Sequence, residues 1–415
     1  KPWERATVWM PVQTRNDGSL RFTARAWDNV DRDGIRHELD VLQMASPVTA
    51  ATYGTTTQEQ VSERVKYPAD ILPNVGGLSV TLSPSVIGNV EGAFEYLRDY
   101  PYMCWEQQLT KGVMADHYQN LKGYIPDSFT WEASAALPGT TLGQAASFQA
   151  PNGGMAYFTA SNRYVSPYLS AYTALAFNWL RDSGHAIPET VEERLDDYLK
   201  RMLRRDVLPD FYSDGMASTV RAVALAALAE RGRITRDDLA RYRPHLDDMT
   251  LFGRAHYLQA ALEVDGTDAL RKEAAHKILA HSNASGGKVI FSEEIDDGYS
   301  RLLHSGLRTN CAVLSALTRM GETENGAALV GDIPFKLVRY ITQSRGQRDY
   351  WENTQENMFC MNALVDYSRI YESEAPRMAL QASFEEELIG KARFEDLRDE
   401  PVTLDKPMQP GDPGT

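Results

Sequence analysis

From Ile87 to Glu374 the apolar residues keep a helical period, and this long run limits the possible folds more than any other feature. Its helices are of two kinds that alternate. One kind is rich in small and apolar residues: Tyr168–Leu180, Gly215–Ala229, Phe252–Leu262, Leu302–Thr318 and Asn357–Ile370. The other is more charged: Val191–Arg204, Asp237–Tyr242, Ala269–Leu279 and Pro334–Ile341. A helix opening near Tyr100–Gln108 joins the first kind. Ile87–Arg98 and a weakly patterned stretch near Phe129–Phe148 join the second, giving about six of each. A helix apolar on all sides must be buried, whereas a one-sided helix covers it. Alternation over this length predicts an α/α toroid with the apolar set inside. Ala222, Ala224, Ala226 and Ala227 allow those inner helices to approach closely.

The flanks have a different period. Ala6–Val12 and Leu20–Trp27 are β-rich with turn residues Asn16–Ser19 between them, and His37–Leu42 and Gly77–Ser83 alternate apolar with polar. Ala45–Gln60 reads as an irregular connection. After Pro376, Met378–Phe384 and Ala392–Phe394 again read as short strands. The expected fold is therefore multidomain α and β, a toroid inserted in one β-sandwich. Residues 1–86 and 375–406 supply the sandwich, 87–374 the toroid, and the Pro/Gly-rich 407–415 a disordered tail.

A formal charge of −14 argues against nucleic-acid or polyanionic partners. No apolar run is long enough to cross a bilayer. With Lys1 first, the sequence reads as a mature piece or fragment of something longer. The odd number of cysteines (three) gives no disulfide framework, and Cys311 and Cys360, on apolar helical faces, are expected to be packed core thiols. No His/Cys cluster has zinc spacing and no Gly-rich phosphate loop occurs, so neither a metal nor a cofactor is expected.

The third cysteine lies in Tyr100-Pro101-Tyr102-Met103-Cys104-Trp105-Glu106-Gln107-Gln108. Pro101 suits an early helical position, and residues at i and i+3 share a helix face. The Cys104 thiol can therefore meet the Gln107 carboxamide. Attack of sulfur on that carboxamide with loss of ammonia would give an internal thioester, a stored electrophile that acylates any amine or hydroxyl reaching it.

Tyr-Pro-Tyr-x-Cys-x-Glu-Gln resembles the thioester motif of bacterial α2-macroglobulin-like proteins. Cys104, Glu106 and Gln107 match the core of the motif, and Tyr100, Pro101 and Tyr102 its bacterial flank. Met103 stands where the family usually has glycine, and Trp105 where bacterial members usually have leucine. The resemblance implies a thioester domain of toroid form carried by a CUB-type β domain. It implies a protease inhibitor rather than an enzyme: after bait cleavage elsewhere in the full chain, the thioester traps target proteases through their lysine amines. It also implies a periplasmic location in bacterial defence, with an inner-membrane anchor outside this chain and a cell-wall synthase or other envelope proteins as further partners. Asn152–Phe158 resembles the family's Gly-rich loop that approaches the thioester. Tyr100, Tyr102, Tyr157 and Phe158 are thus expected to shield the bond from water, with Trp105 and Glu106 completing its surroundings.

Complement-type relatives place an acyl-transfer histidine a little over a hundred residues past the cysteine. Here Asp210–Arg221 has Ser213 and Asp214 but no histidine, with His256 and His304 as the substitutes. Amines are therefore the expected nucleophiles. Two other readings stay open: a toroid binding module without an active thioester, and a toroid glycosidase or cyclase-like enzyme. For the latter, Glu293-Glu294 and Asp296-Asp297 are the candidate carboxylates, although their segment reads as a solvated loop.

Overall fold

The computed structural model describes residues 7–14, 18–41, 52, 54, 56, 59–65 and 76–407, except 126, 206, 207, 286, 347 and 385. The chain divides into two compact units, residues 1–49 and 50–415. In the first unit, β1 (Gly18–Trp27) and β2 (Arg32–Val41) form an antiparallel hairpin. Its turn is closed by Asp28, whose carboxylate accepts the N–H groups of Val30 and Asp31. The strand expected at Ala6–Val12 is not formed by residues 7–14, where Pro11 lacks a ladder donor. Asn16 and Asp17, most of the Ala45–Gln60 connection and the tail beyond Pro407 lie outside the described residues.

In the second unit β3 (Gly77–Leu82) pairs antiparallel with β8 (Val402–Pro407), and the sequence reading missed β8. Between them come the helices α1 (Glu91–Asp99), α2 (Trp105–Asn120), α3 (Leu137–Phe148), α4 (Pro167–Asp182), α5 (Glu189–Arg205), α6 (Asp214–Ala229), α7 (Arg236–Tyr242), α8 (Leu251–Glu263) and α9 (Asp268–Leu279). A short hairpin, β4 (Ser282–Ser285) and β5 (Lys288–Phe291), interrupts them where no strand was expected. Then follow α10 (Gly306–Gly321), α11 (Gly326–Val330), α12 (Ile333–Gln343), α13 (Thr354–Tyr371) and the hairpin β6 (Met378–Phe384) and β7 (Glu387–Phe394). The chain is thus a mixed α and β protein. Its described strands make two-stranded pairings and do not by themselves complete a sandwich.

Six helices of the apolar kind pack in sequence: α2 on α4, α4 on α6, α6 on α8, α8 on α10, α10 on α13, and α13 back on α2. Every residue of α6 from Met216 to Ala229 is buried, as a helix covered on all sides requires. α5 buries only a stripe that includes Leu195, Leu199 and Met202. The two ends of the helical body meet, because the Glu372 carboxylate accepts from the Ser85 hydroxyl at 2.6 Å and the Val86 N–H at 2.9 Å.

The expectation for the cysteines is overturned as well. Cys311 and Cys360 are not free thiols but a disulfide joining α10 to α13. Both are fully buried. A sequence separation of 49 hides the fact that their helices are neighbours.

Candidate functional site

Cys104 is the N-cap of α2 and Gln107 is its third residue. An N-cap has extended dihedrals and turns its side chain back over the first N–H groups of the helix. Cys104 does so, and the reciprocal contact is also made: its own N–H donates to Gln107 Oε1 at 3.0 Å. Each side chain thus reaches the other residue's backbone N–H across one helical turn, the geometry of a capping box. Other apolar helices carry oxygen at the same place: Ser166, Ser213, Thr250, Ser305 and Asn353 cap α4, α6, α8, α10 and α13. Cys104 is a free cysteine and only 6% exposed. Burial pushes its thiol pKa up, and the backbone N–H groups of Gln107 and Glu106 oppose that by donating to sulfur.

The turn is pinned from two sides. Trp105 turns inward, fully buried, with its ring stacked on Phe148 at 5.1 Å and its indole N–H donating to Thr173 Oγ1 at 2.9 Å. Its backbone N–H donates to the Tyr157 carbonyl at 2.9 Å, which fastens the 149–165 loop to the start of α2. That loop needs glycine. Gly153 has φ +91°, and a Cβ there would stand 2.2 Å from the Arg194 carbonyl oxygen.

Glu106 is buried, not solvated. Oε1 accepts from the Thr110 hydroxyl at 3.0 Å, the Thr354 hydroxyl at 3.0 Å and Gln355 Nε2 at 2.7 Å, tying α2 to α13. Burial raises its pKa, while those three donors and Arg308 act the other way.

Neither a protein-family model nor a curated protein matches this chain. Solved structures do. The native E. coli alpha-2-macroglobulin superposes with a TM-score of 0.62 at 20% identity, over 95% of this chain and 24% of that one. The Salmonella protein reacted with methylamine gives 0.62 at 18% identity, over 94% and 24%. The trypsin-activated Escherichia coli protein gives 0.54 at 20%, over 94% and 26%. This chain has the fold of part of bacterial alpha-2-macroglobulin. It spans about a quarter of the length of those structures, and at these identities the likeness is one of fold.

In this alpha-2-macroglobulin fold the four expected shielding aromatics separate into two pairs. Tyr100 and Tyr157 are half-buried, and Tyr100 lies 5.3 Å from the Tyr96 ring. Tyr102 is 67% exposed, Phe158 73% and Met103 69%, so their side chains stand in solvent on this chain. His256 is buried between Phe252 and Phe359, and its Nδ1 lies 2.8 Å from the Phe252 carbonyl oxygen. It lines a cavity of about 310 Å³ with His117, Glu230, Glu263, Arg319 and Asp366, from the C-terminal halves of the apolar helices, whereas Cys104 caps an N-terminus. Ser213 is occupied in capping α6.

The acidic segment offered to an enzyme reading is the solvated loop expected at Glu294, Asp296 and Asp297, which are exposed; only Glu293 is half-buried. Both Glu293 carboxylate oxygens accept the Leu251 N–H at the start of α8, at 2.8 and 3.0 Å, and Asp296 caps the turn at Gly298. Residues that sequence reading missed are Thr354, Gln355, Tyr168 and Arg308. The available signal was a lone arginine inside the apolar run Leu302–Thr318.

Proposed function

We propose that this chain belongs to a bacterial alpha-2-macroglobulin-like protease inhibitor in which Cys104 and Gln107 form an internal thioester that captures proteases through lysine amines. The observation that supports this reading is the capping box, in which the Cys104 and Gln107 side chains each reach the other's backbone N–H within one helical turn. In bond formation, Cys104 Sγ attacks Gln107 Cδ, the thiol proton passes to the nitrogen and ammonia leaves. Oε1 keeps its hydrogen bond from the Cys104 N–H, which polarises the carbonyl. An amine then attacks Cδ and the thiolate leaves toward the N–H groups of Glu106 and Gln107, where the positive end of α2 favours an anion. Tyr100 and Tyr157 cover the bond from this chain, and Tyr102 and Phe158 complete the cover with surfaces it meets in the longer protein.

The same proposal reads the cycle of six helices as an α/α toroid over 87–374 and the flanking strands as parts of one CUB-type β domain. Bait cleavage takes place elsewhere in the full protein. The Cys311–Cys360 disulfide suits an oxidising compartment and so supports a periplasmic site of action.

Intact mass and peptide mapping test the bond. The native chain is expected to lack one ammonia, to resist thiol reagents at Cys104, and on methylamine treatment to gain methylamide at Gln107 and release the thiol. Because no histidine makes a hydrogen bond to the pair among the described residues, methylamine should outcompete glycerol at Gln107. A native chain with a labelled Cys104 and an intact Gln107 amide would make this a binding module instead, and dominant glycerol esters would require an acyl-transfer base.

A further inference from the structure

Arg308 on α10 is 1% exposed and makes no ion pair among the described residues. Its guanidinium lies over the Phe252 ring at 4.0 Å, one Nη1 donates to the Leu302 carbonyl and the Tyr168 hydroxyl, both at 2.7 Å, and Nε has no partner. Arginine keeps its charge even in such a place. Tyr168 in turn donates to Gln355 Oε1 at 2.6 Å, with Arg308 Nη1 3.5 Å from the same oxygen. The other end of that amide donates to Glu106. One carboxamide therefore stands with its oxygen toward a buried cation and its N–H toward a buried carboxyl group.

We propose that Arg308 is the countercharge of Glu106, acting through Gln355 and Tyr168, and that this relay is the positioning device for the Cys104–Gln107 turn. Glu106 lies between the two reacting residues, so its tether to α13 fixes the first turn of α2 against α4, α10 and α13. The relay rests on hydrogen-bond geometry alone; its consequence for bond formation rests on the thioester reading above. Burial raises the Glu106 carboxyl while four contacts at hydrogen-bond distance approach it from donors, and Arg308 acts in the same direction as those donors. The competing carboxylate is Glu356, also buried, which accepts from the Ser305 hydroxyl and the Glu352 N–H rather than from any member of the relay.

The test is a double-mutant cycle in the full chain, Glu106→Gln, Arg308→Met and the pair together, with Glu356→Gln plus Arg308→Met as control. Two quantities are read: the unfolding midpoint in urea, and the fraction of Cys104 thiol released by methylamine. Removing one member of a buried pair strands the other charge, so each single variant should lower the midpoint and cut the released thiol by about ten-fold. The double variant should recover the midpoint and bring the released thiol within about two-fold of the parent, a rescue that independent packing losses do not give. Additive losses, a harmless Glu106→Gln, or rescue by Glu356→Gln in place of Glu106→Gln would each overturn the assignment. If the parent itself releases no thiol, the thioester reading fails, and the unfolding cycle alone still decides the relay.

Discussion

Cys104 holds a position that serine, threonine or asparagine holds on neighbouring helices, and this one exchange puts a thiol where those helices carry an oxygen, which is what the proposed thioester needs. The same scale governs His256. Its ring is held neutral by burial, with a pKa pushed down to about 4. In the unfolded chain it titrates near the usual histidine value, so between those two values the unfolded state binds more protons than the folded one. Stability carried by the neutral ring is therefore complete at pH 7 and lost as pH falls toward 4. Relative to His256→Asn, which keeps a donor for the Phe252 carbonyl, the parent should lose about 2 kcal/mol between pH 7 and pH 5. Urea unfolding of both proteins at the two pH values checks this, and an unchanged difference would mean that the ring reaches solvent.

Among the elements, α13 does the most to organise the site. It closes the cycle of helices onto α2, supplies Thr354 and Gln355 to Glu106, and is stapled to α10 by Cys311–Cys360. The staple lies about one turn along from Arg308 and Gln355, so it fixes the two helices that carry the relay. Cross-linking across 49 residues removes loop entropy from the unfolded chain. Replacing both cysteines by alanine should cost up to about 4 kcal/mol in urea unfolding and leave the Cys104 cap in place. Non-reducing peptide mapping of the parent should find Cys311 and Cys360 joined and Cys104 outside any disulfide.

For the molecule as a whole, the decisive contacts lie where the helical body begins and ends. Glu372 grips Ser85 and Val86, and β3 pairs with β8, so the chain enters and leaves the body at one place. Glu372→Ala removes both acceptors and should cost about 1–2 kcal/mol, with faster amide exchange at Val86 and Ile87. Hydrogen exchange read by mass spectrometry would show this as a local loss, with α4 through α10 unchanged. Loss of protection across those helices as well would show that the closure supports the whole cycle rather than its seam. Among the described residues no helix is long and apolar enough to cross a membrane.

The sequence by itself determined whatever depends on near neighbours. Apolar period marked α4, α6, α8 and α13 to within a few residues, because a helix buried on all sides leaves that pattern in any window. The i, i+3 spacing was enough to bring Cys104 to Gln107, since one turn of helix sets their separation. Tertiary structure alone decided what depends on distant partners. Pairing of Cys311 with Cys360 required that α10 and α13 be adjacent. Glu106 could be read from the sequence only as a neighbour of Cys104 and Gln107; its burial was decided by Thr354 and Gln355, far along the chain, which close over it. Val402–Pro407 became a strand because Gly77–Leu82 offered it an edge. Tyr102 and Phe158, expected to pack, stand exposed, because burial of an aromatic depends on which surface faces it and not on its own neighbours in the chain.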